Sequence, residues 1–220
     1  MSPRIVFEQE LEQLKESVAT MSLLVENTYD ELFQALEEKN ENKIREIMES
    51  DRMVSDMERS IESRCLSLLT RQQPVARDLR AVSATLKVVT DIKRVGDILS
   101  DIAELLLRLR MEGLSSYSVH LPAMMKTTKE MLREAVEAFT ERKEREAGIV
   151  IEEDDIVDEF FNKVKEDLID YLKKETKNAD DCIDILMIAK YFEKIGDHAV
   201  NIAEWELFQE TGDIGNMRIL

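Results

Sequence analysis

Histidine and tryptophan are nearly missing from this 220-residue sequence, with two copies and one, and Gly, Pro and Cys number only six, three and two. Cys65 and Cys182 lie far apart with no CxxC or Cys/His spacing, which argues against a zinc site and more strongly against a disulfide framework. Both read as small core residues. So few Gly and Pro exclude a turn-rich β protein. No run reaches the roughly 18 apolar residues of a membrane helix, and Met1 to Glu10 lacks a basic stretch followed by an apolar one. Neither a span nor a secretion signal is read, and the cytoplasm is the default compartment. Positive charge is also scarce: 30 Lys and Arg against 47 Asp and Glu leave a net charge of −17. That balance argues against a nucleic-acid backbone or an anionic lipid surface, and suits cations or a basic protein surface. No Gly-rich phosphate loop, Walker sequence or nucleophile–base pair appears, so the chain is read as a non-enzyme. A ferritin-like di-iron oxidase would need Glu-x-x-His pairs, and neither His120 nor His198 lies three residues after a Glu.

What the sequence does have is helix. Ala, Leu, Glu, Lys, Arg and Met dominate, and 44% hydrophobic residues accompany 35% charged ones, the mixture of amphipathic helices with coated outer faces. Leu11, Leu14, Val18, Met21, Leu24/Val25, Tyr29, Leu32 and Leu36 follow a three-four spacing in the first of them. Breaks at 39–42, 71–74, 113–122, 143–147 and 175–178 divide the chain into helices over roughly 6–38, 42–70, 75–111, 121–142, 147–174 and 178–210. The eleven Met residues sit among apolar positions and read as core filling, with a few at a partner surface.

The chain also repeats itself. "KRVGDILSDIAE" at 93–104 returns as "EKIGDHAVNIAE" at 193–204, each in the third helix of its half, and "ESDRMVSD" at 49–56 aligns with "EEDDIVDE" at 152–159. The non-periodic stretch "GLSSYSVHLP" separates three helices from three. The expected fold is all-α, two tandem, duplicated antiparallel three-helix bundles. The expected layout is 1–112 for the first bundle, 113–122 for the linker, 123–210 for the second bundle and 211–220 for a C-terminal tail.

On a wheel of about 100° per residue, Ile92, Val95, Leu99, Ile102 and Leu106 share one sector of helix 3, and Asp97, Asp101 and Glu104 lie opposite. Glu193, Asp197 and Glu204 form the same ridge on helix 6. A solvated acidic face is the plain reading of such a ridge. Three features point further. Stacked like charges repel by a few tenths of a kcal/mol unless a cation neutralises them. Their Cβ atoms are only about 5–6 Å apart, within reach of a shared hard metal. Gly96 and Gly196 sit inside helices at a cost of roughly 1 kcal/mol each, which suggests the close approach of another backbone.

"QPVARDLR" at 73–80, then "KRVGDILSDIAE", a mid-chain break and "FEKIGDHAVNIAE" at 192–204 resemble the PhoU family of accessory regulators of bacterial phosphate uptake and signalling. The likeness spans essentially the whole chain. It implies two three-helix bundles, each able to hold metal through Glu/Asp-xxx-Asp pairs on its second and third helices. It also implies a cytoplasmic homodimer connecting the phosphate ABC transporter to a sensor histidine kinase, keeping the starvation response off when phosphate is plentiful and restraining uptake.

Carried over position by position, the metal pattern is uneven. Asp154 with Asp158 and Glu193 with Asp197 match it in the second half, an all-oxygen donor set for a divalent or trivalent ion such as Fe, Mn, Mg, Ca or Ni. The first half keeps Asp51 and Asp97 but has Ser55 and Lys93 where acids belong. The expectation is therefore one metal site per chain, with the Lys93 ammonium replacing the cation in the first half. A shifted site on Asp97 and Asp101 is the alternative. His198 falls about 100° from the acidic ridge and reads as a packing or surface residue, while His120 in the linker reads as exposed. Arg77, Asp78 and Arg80 read as contacts to partners or between bundles, or as charges solvating the first turns after Pro74.

Overall fold

The computed structural model describes residues 3–218 except 39, 73, 75, 110–116 and 215–216, and of residues 3, 36, 37, 49–51, 214, 217 and 218 only the backbone. Among these, six helices run in chain order: α1 (Pro3–Glu38), α2 (Glu41–Gln72), α3 (Arg77–Leu106), α4 (Leu121–Glu141), α5 (Glu144–Lys174) and α6 (Ala179–Thr211). The expected all-α, two-bundle architecture is the observed one. A two-stranded antiparallel hairpin, β1 (Asp213–Ile214) with β2 (Met217–Arg218), follows α6 where only a tail is expected. Pro122 stands in the first turn of α4, where a missing N–H costs nothing. Arg142 ends that helix in the left-handed conformation (φ 58°), and Gly212 does the same for α6 (φ 82°).

Apolar spacing decides which faces are buried. In α1 the chain from Leu14 through Val18, Met21, Val25, Tyr29 and Leu32 is wholly buried, and in α3 so are Ile92, Val95, Leu99, Ile102 and Leu106. Cys65 and Cys182 are buried free thiols in that interior, and burial pushes Cys65 up to about 12. Met21, Met124, Met125 and Met131 are core residues, whereas Met48, Met53 and Met187 are exposed.

The two bundles share one core rather than touching at a seam. Tyr29 of α1 packs its ring 5.9 Å from that of Phe192 on α6, and its hydroxyl hydrogen-bonds Thr128 of α4 at 2.7 Å. The third helices of the two halves, α3 and α6, lie against each other. There Asp91 Oδ1 meets His198 Nδ1 at 2.8 Å and accepts a bond from Asn201 at 3.3 Å. One hundred positions away in each direction, Tyr191 bonds Asp101 across the same contact. The duplication thus appears as an approximate two-fold relation at the bundle interface.

The "QPVARDLR" charges act between bundles. Arg77 Nη2 reaches both carboxylate oxygens of Glu210 at 2.8 and 3.1 Å, and Arg80 donates to the backbone carbonyls of Gln209 and Glu210 at 3.1 and 3.2 Å. Arg80 therefore satisfies carbonyls at the end of α6 and places a cation at the negative end of its dipole. Asp78 is paired with Arg4 of α1.

Candidate functional site

Asp154 and Asp158 stand one turn apart on α5, Glu193 and Asp197 one turn apart on α6, and the two helices pack side by side. Gly196 sets how closely. A Cβ built on it would lie 3.3 Å from Asp154 Oδ1 and 3.5 Å from Val157 Cγ1, so the Asp154 carboxylate lies close against the glycine and an added side chain would press on it. The expectation of a neighbouring backbone is corrected: the groups nearest Gly196 are side chains, Asp154 and Val157. Asp154 is half-buried, and its pKa is raised, first by burial and then by Asp197, Asp158, Glu193 and Asp155. All four second-half acids therefore share one neighbourhood of concentrated negative charge.

Two lysines answer that charge. Lys190 pairs with Glu193, and Lys194 pairs with Asp197 while standing 4.0 Å from Glu193. Glu193 Oε2 is buried and, despite its ion pair, makes no hydrogen bond of acceptable geometry. Among the described residues no three His, Cys, Asp or Glu side chains converge as a finished ligand set. The residues nevertheless fit a hard cation: the donors are all carboxylate oxygens, a glycine cradles one of them, one oxygen lacks a hydrogen bond, and ammonium groups stand in for positive charge.

The first half differs in the way its sequence differs. Asp97 is paired with Lys93 one turn earlier, and Arg94 approaches its other oxygen at 3.4 Å. The expected internal salt bridge is present, with Asp97 as its acid. The Asp51 side chain lies outside the described residues. Asp101 is exposed and bonds Tyr191 across the bundle interface. Glu58 of α2 belongs to this charge cluster although no motif marks it. Its pKa is raised by burial and by Glu62 and Asp97, and lowered by Lys93 and Arg94. In the aligned position of the second half stands Phe161, whose ring lies 5.4 Å from the Lys190 ammonium.

His198 is committed to Asp91, 21% exposed, so it serves packing between the bundles. His120 departs from expectation. Instead of lying exposed, it is half-buried, with Nδ1 2.8 Å from Asp167 Oδ2, because Asp167 also accepts from Ser118 at 2.7 Å and holds the end of the linker on α5. Tyr117 completes that attachment by donating to the buried Asp181 of α6 at 2.9 Å. The two hydrogen bonds overcome the cost of burial and leave the pKa of Asp167 below the usual carboxylate value.

A family model, the PhoU domain, matches this chain twice, over residues 18–106 and 121–205. The chain belongs to the PhoU family. The two matches coincide with the two bundles, so the internal repeat is a repeat of the family's domain. A phosphate-specific transport system accessory protein PhoU homolog of Clostridium acetobutylicum is 31% identical over 210 residues, covering 95% of this chain and 96% of the relative. The homolog of Aquifex aeolicus is 32% identical over 206 residues, covering 94% and 93%. Among solved structures, the phosphate transport system regulatory protein PhoU from Streptococcus pneumoniae superposes with a TM-score of 0.88 at 26% identity, over 96% of this chain and all of that one. PhoU from Pseudomonas aeruginosa does so with a TM-score of 0.87 at 30% identity, over 94% of this chain. The chain is thus a PhoU-like accessory protein of phosphate transport, regulatory rather than enzymatic. None of its described helices is long and apolar enough to cross a membrane.

Proposed function

We propose that this PhoU-family chain is a cytoplasmic, homodimeric adaptor of phosphate homeostasis. It links the phosphate ABC transporter to a sensor histidine kinase, keeps the starvation response off when phosphate is plentiful and restrains uptake. A metal held on its second-half acidic face takes part. The observation that carries the site is the seating of the Asp154 carboxylate over Gly196, among Asp158, Glu193 and Asp197. Those four acids would hold the ion. Bound there, a divalent or trivalent cation would supply fixed positive charge and positions open to an oxygen ligand from a partner or from phosphate.

Deletion in the host tests the regulatory reading, with phosphate-starvation gene expression measured in high phosphate. Loss of repression is expected, and normal repression would remove the claim. Replacing Glu193 and Asp197 by Ala tests the site: a folded protein that no longer represses alkaline phosphatase is expected. Unchanged repression would favour a helical scaffold whose metal is incidental.

The two halves should behave differently. Metal analysis of protein prepared in Mn, Fe, Ni and Mg is expected to find an ion lost on Asp154→Ala and retained on Asp97→Ala, since Lys93 already neutralises Asp97. An ion that depends on Asp97 and not on Asp154 would reverse the assignment.

A further inference from the structure

Opposite the α3–α6 contact, α1 and α4 leave an open groove of about 620 Å³ between them. Its walls include apolar surface from Tyr29 and Phe33 of α1 and from Pro122, Ala123 and Met125 of α4. Phe33 is 38% exposed, a large ring left partly in water. The charges around this surface are segregated. On α1 they are acidic, Glu26 and Asp30, and on α4 mostly basic, Lys126, Lys129 and Arg133 with Glu130. Among the described residues one ion pair closes across the groove, Lys129 with Asp30, while Lys126 and Arg133 pair along α4 with Glu130 and Glu134.

We propose that this groove is the face on which two copies of the chain meet. The proposal rests on the homodimer reading above and gives it a surface. Two molecules that each carry −17 repel over most of their surfaces, so they meet most easily where charge locally cancels. The groove meets that condition, with three acids (Glu26, Asp30, Glu130) and three bases (Lys126, Lys129, Arg133) around an apolar floor. Segregation supplies the orientation. A two-fold axis running along the groove, parallel to the two helices, sets the acidic α1 of each copy against the basic α4 of the other, so each charge contact is made twice. Phe33 then finds the apolar cover it lacks in the monomer. The acid cluster on α5 and α6 has no such balance and would oppose a like surface.

Charge reversal tests this directly, with mass read by sedimentation equilibrium at micromolar concentration and folding by circular dichroism. The wild type is expected to be a dimer. Glu26→Lys with Asp30→Lys makes both walls basic, and Lys126→Glu with Arg133→Glu makes both acidic; each variant alone is expected to be a folded monomer. Mixed in equal amounts, they are expected to recover the dimer mass, because each wall again faces its opposite. Phe33→Ser, which leaves charge untouched, is expected to weaken the wild-type dimer by roughly tenfold or more. A monomeric wild type would overturn the homodimer reading itself and leave the groove to another partner, such as an amphipathic helix. A dimer that persists in both charge variants would overturn this face while leaving the homodimer standing. Two monomeric variants that fail to pair would overturn the charge argument.

Discussion

Glu206, near the C-terminal end of α6, is completely buried. Gln209 donates to its Oε2 at 2.7 Å, while Oε1 has no hydrogen-bond partner. Burial and the neighbouring Glu210 push its pKa up to about 8, against the opposing influence of Arg142, Gln209 and Lys15. In an unfolded chain the same group titrates near 4.5. Between those values the folded state holds a proton that the unfolded state has lost, so folding is favoured at the acidic end and weakened as pH rises. This contribution should fall by a few kcal/mol from about pH 5 to about pH 8, at about 1.4 kcal/mol per unit of pKa difference. Glu206→Gln retains the neutral form and should flatten that decline, leaving the variant the more stable protein at pH 8. Urea unfolding of both proteins across this range checks it; parallel profiles would show that the carboxyl group is not the cause. Nothing in the sequence marks Glu206, which sits in a helix full of acids. Lys15 of α1 and Arg142 at the α4–α5 turn act on it from other elements, a tertiary arrangement that helical periodicity does not encode. Gly196 is the opposite case: inside a helix its missing side chain costs stability, and that cost is legible without a structure.

Helices were the most readable level, because burial here follows a three-four spacing that amphipathic sequence displays openly. Val95, Leu99 and Ile102 are buried, and the acids opposite them are not, as the wheel requires. Duplicate phrases then supplied the pairing of α3 with α6 as equivalent elements. What remained hidden was the detail of contact between elements. Arg77 and Arg80 could be read several ways, since a basic pair at a helix start does not reveal what lies 130 residues further along the chain. Glu58, Lys190 and Lys194 escaped a motif-based reading of the charge clusters, although the three-residue steps from Lys190 to Glu193 and from Lys194 to Asp197 could have suggested the lysine pairs. Arg80 gives an element-scale prediction. Its guanidinium is the α3 group that satisfies the Gln209 and Glu210 carbonyls, and hydrogen bonds from a charged donor are worth about 1.5–3 kcal/mol. Arg80→Ala should therefore lower stability by about 2 kcal/mol. Hydrogen exchange should show faster opening at the last turn of α6, with α5 little changed. Uniform acceleration across all helices would mean that the side chain supports the whole core instead of this joint.

At the scale of the molecule, a charge of −17 opposes compaction, while many pairs of opposite charge favour it. Both interactions weaken in salt, so the response of stability to salt reports which is larger. Many of the pairs are surface contacts one turn apart; in Arg59 with Asp56, Arg108 with Glu104 and Lys173 with Asp170, each side chain is more than half exposed. Such pairs are worth about 0–1 kcal/mol and many contribute nothing measurable. Repulsion among the excess carboxylates acts over the longer distances that a Debye length of about 10 Å at 0.1 M salt removes first. The half-buried pair of Lys93 with Asp97 is screened less and should survive. Repulsion is therefore the larger salt-sensitive quantity. The thermal midpoint at pH 7 should rise as sodium chloride increases from about 0.01 M, where the Debye length is about 30 Å, to about 0.3 M, where it is well under about 10 Å. A divalent ion at the Asp154 cluster should raise it further at equal ionic strength, since binding only the folded state adds stability in proportion to the logarithm of ion concentration. That second increment should vanish in the Glu193→Ala, Asp197→Ala protein while the response to sodium chloride remains. A midpoint that falls with sodium chloride would instead place the balance with the surface ion pairs.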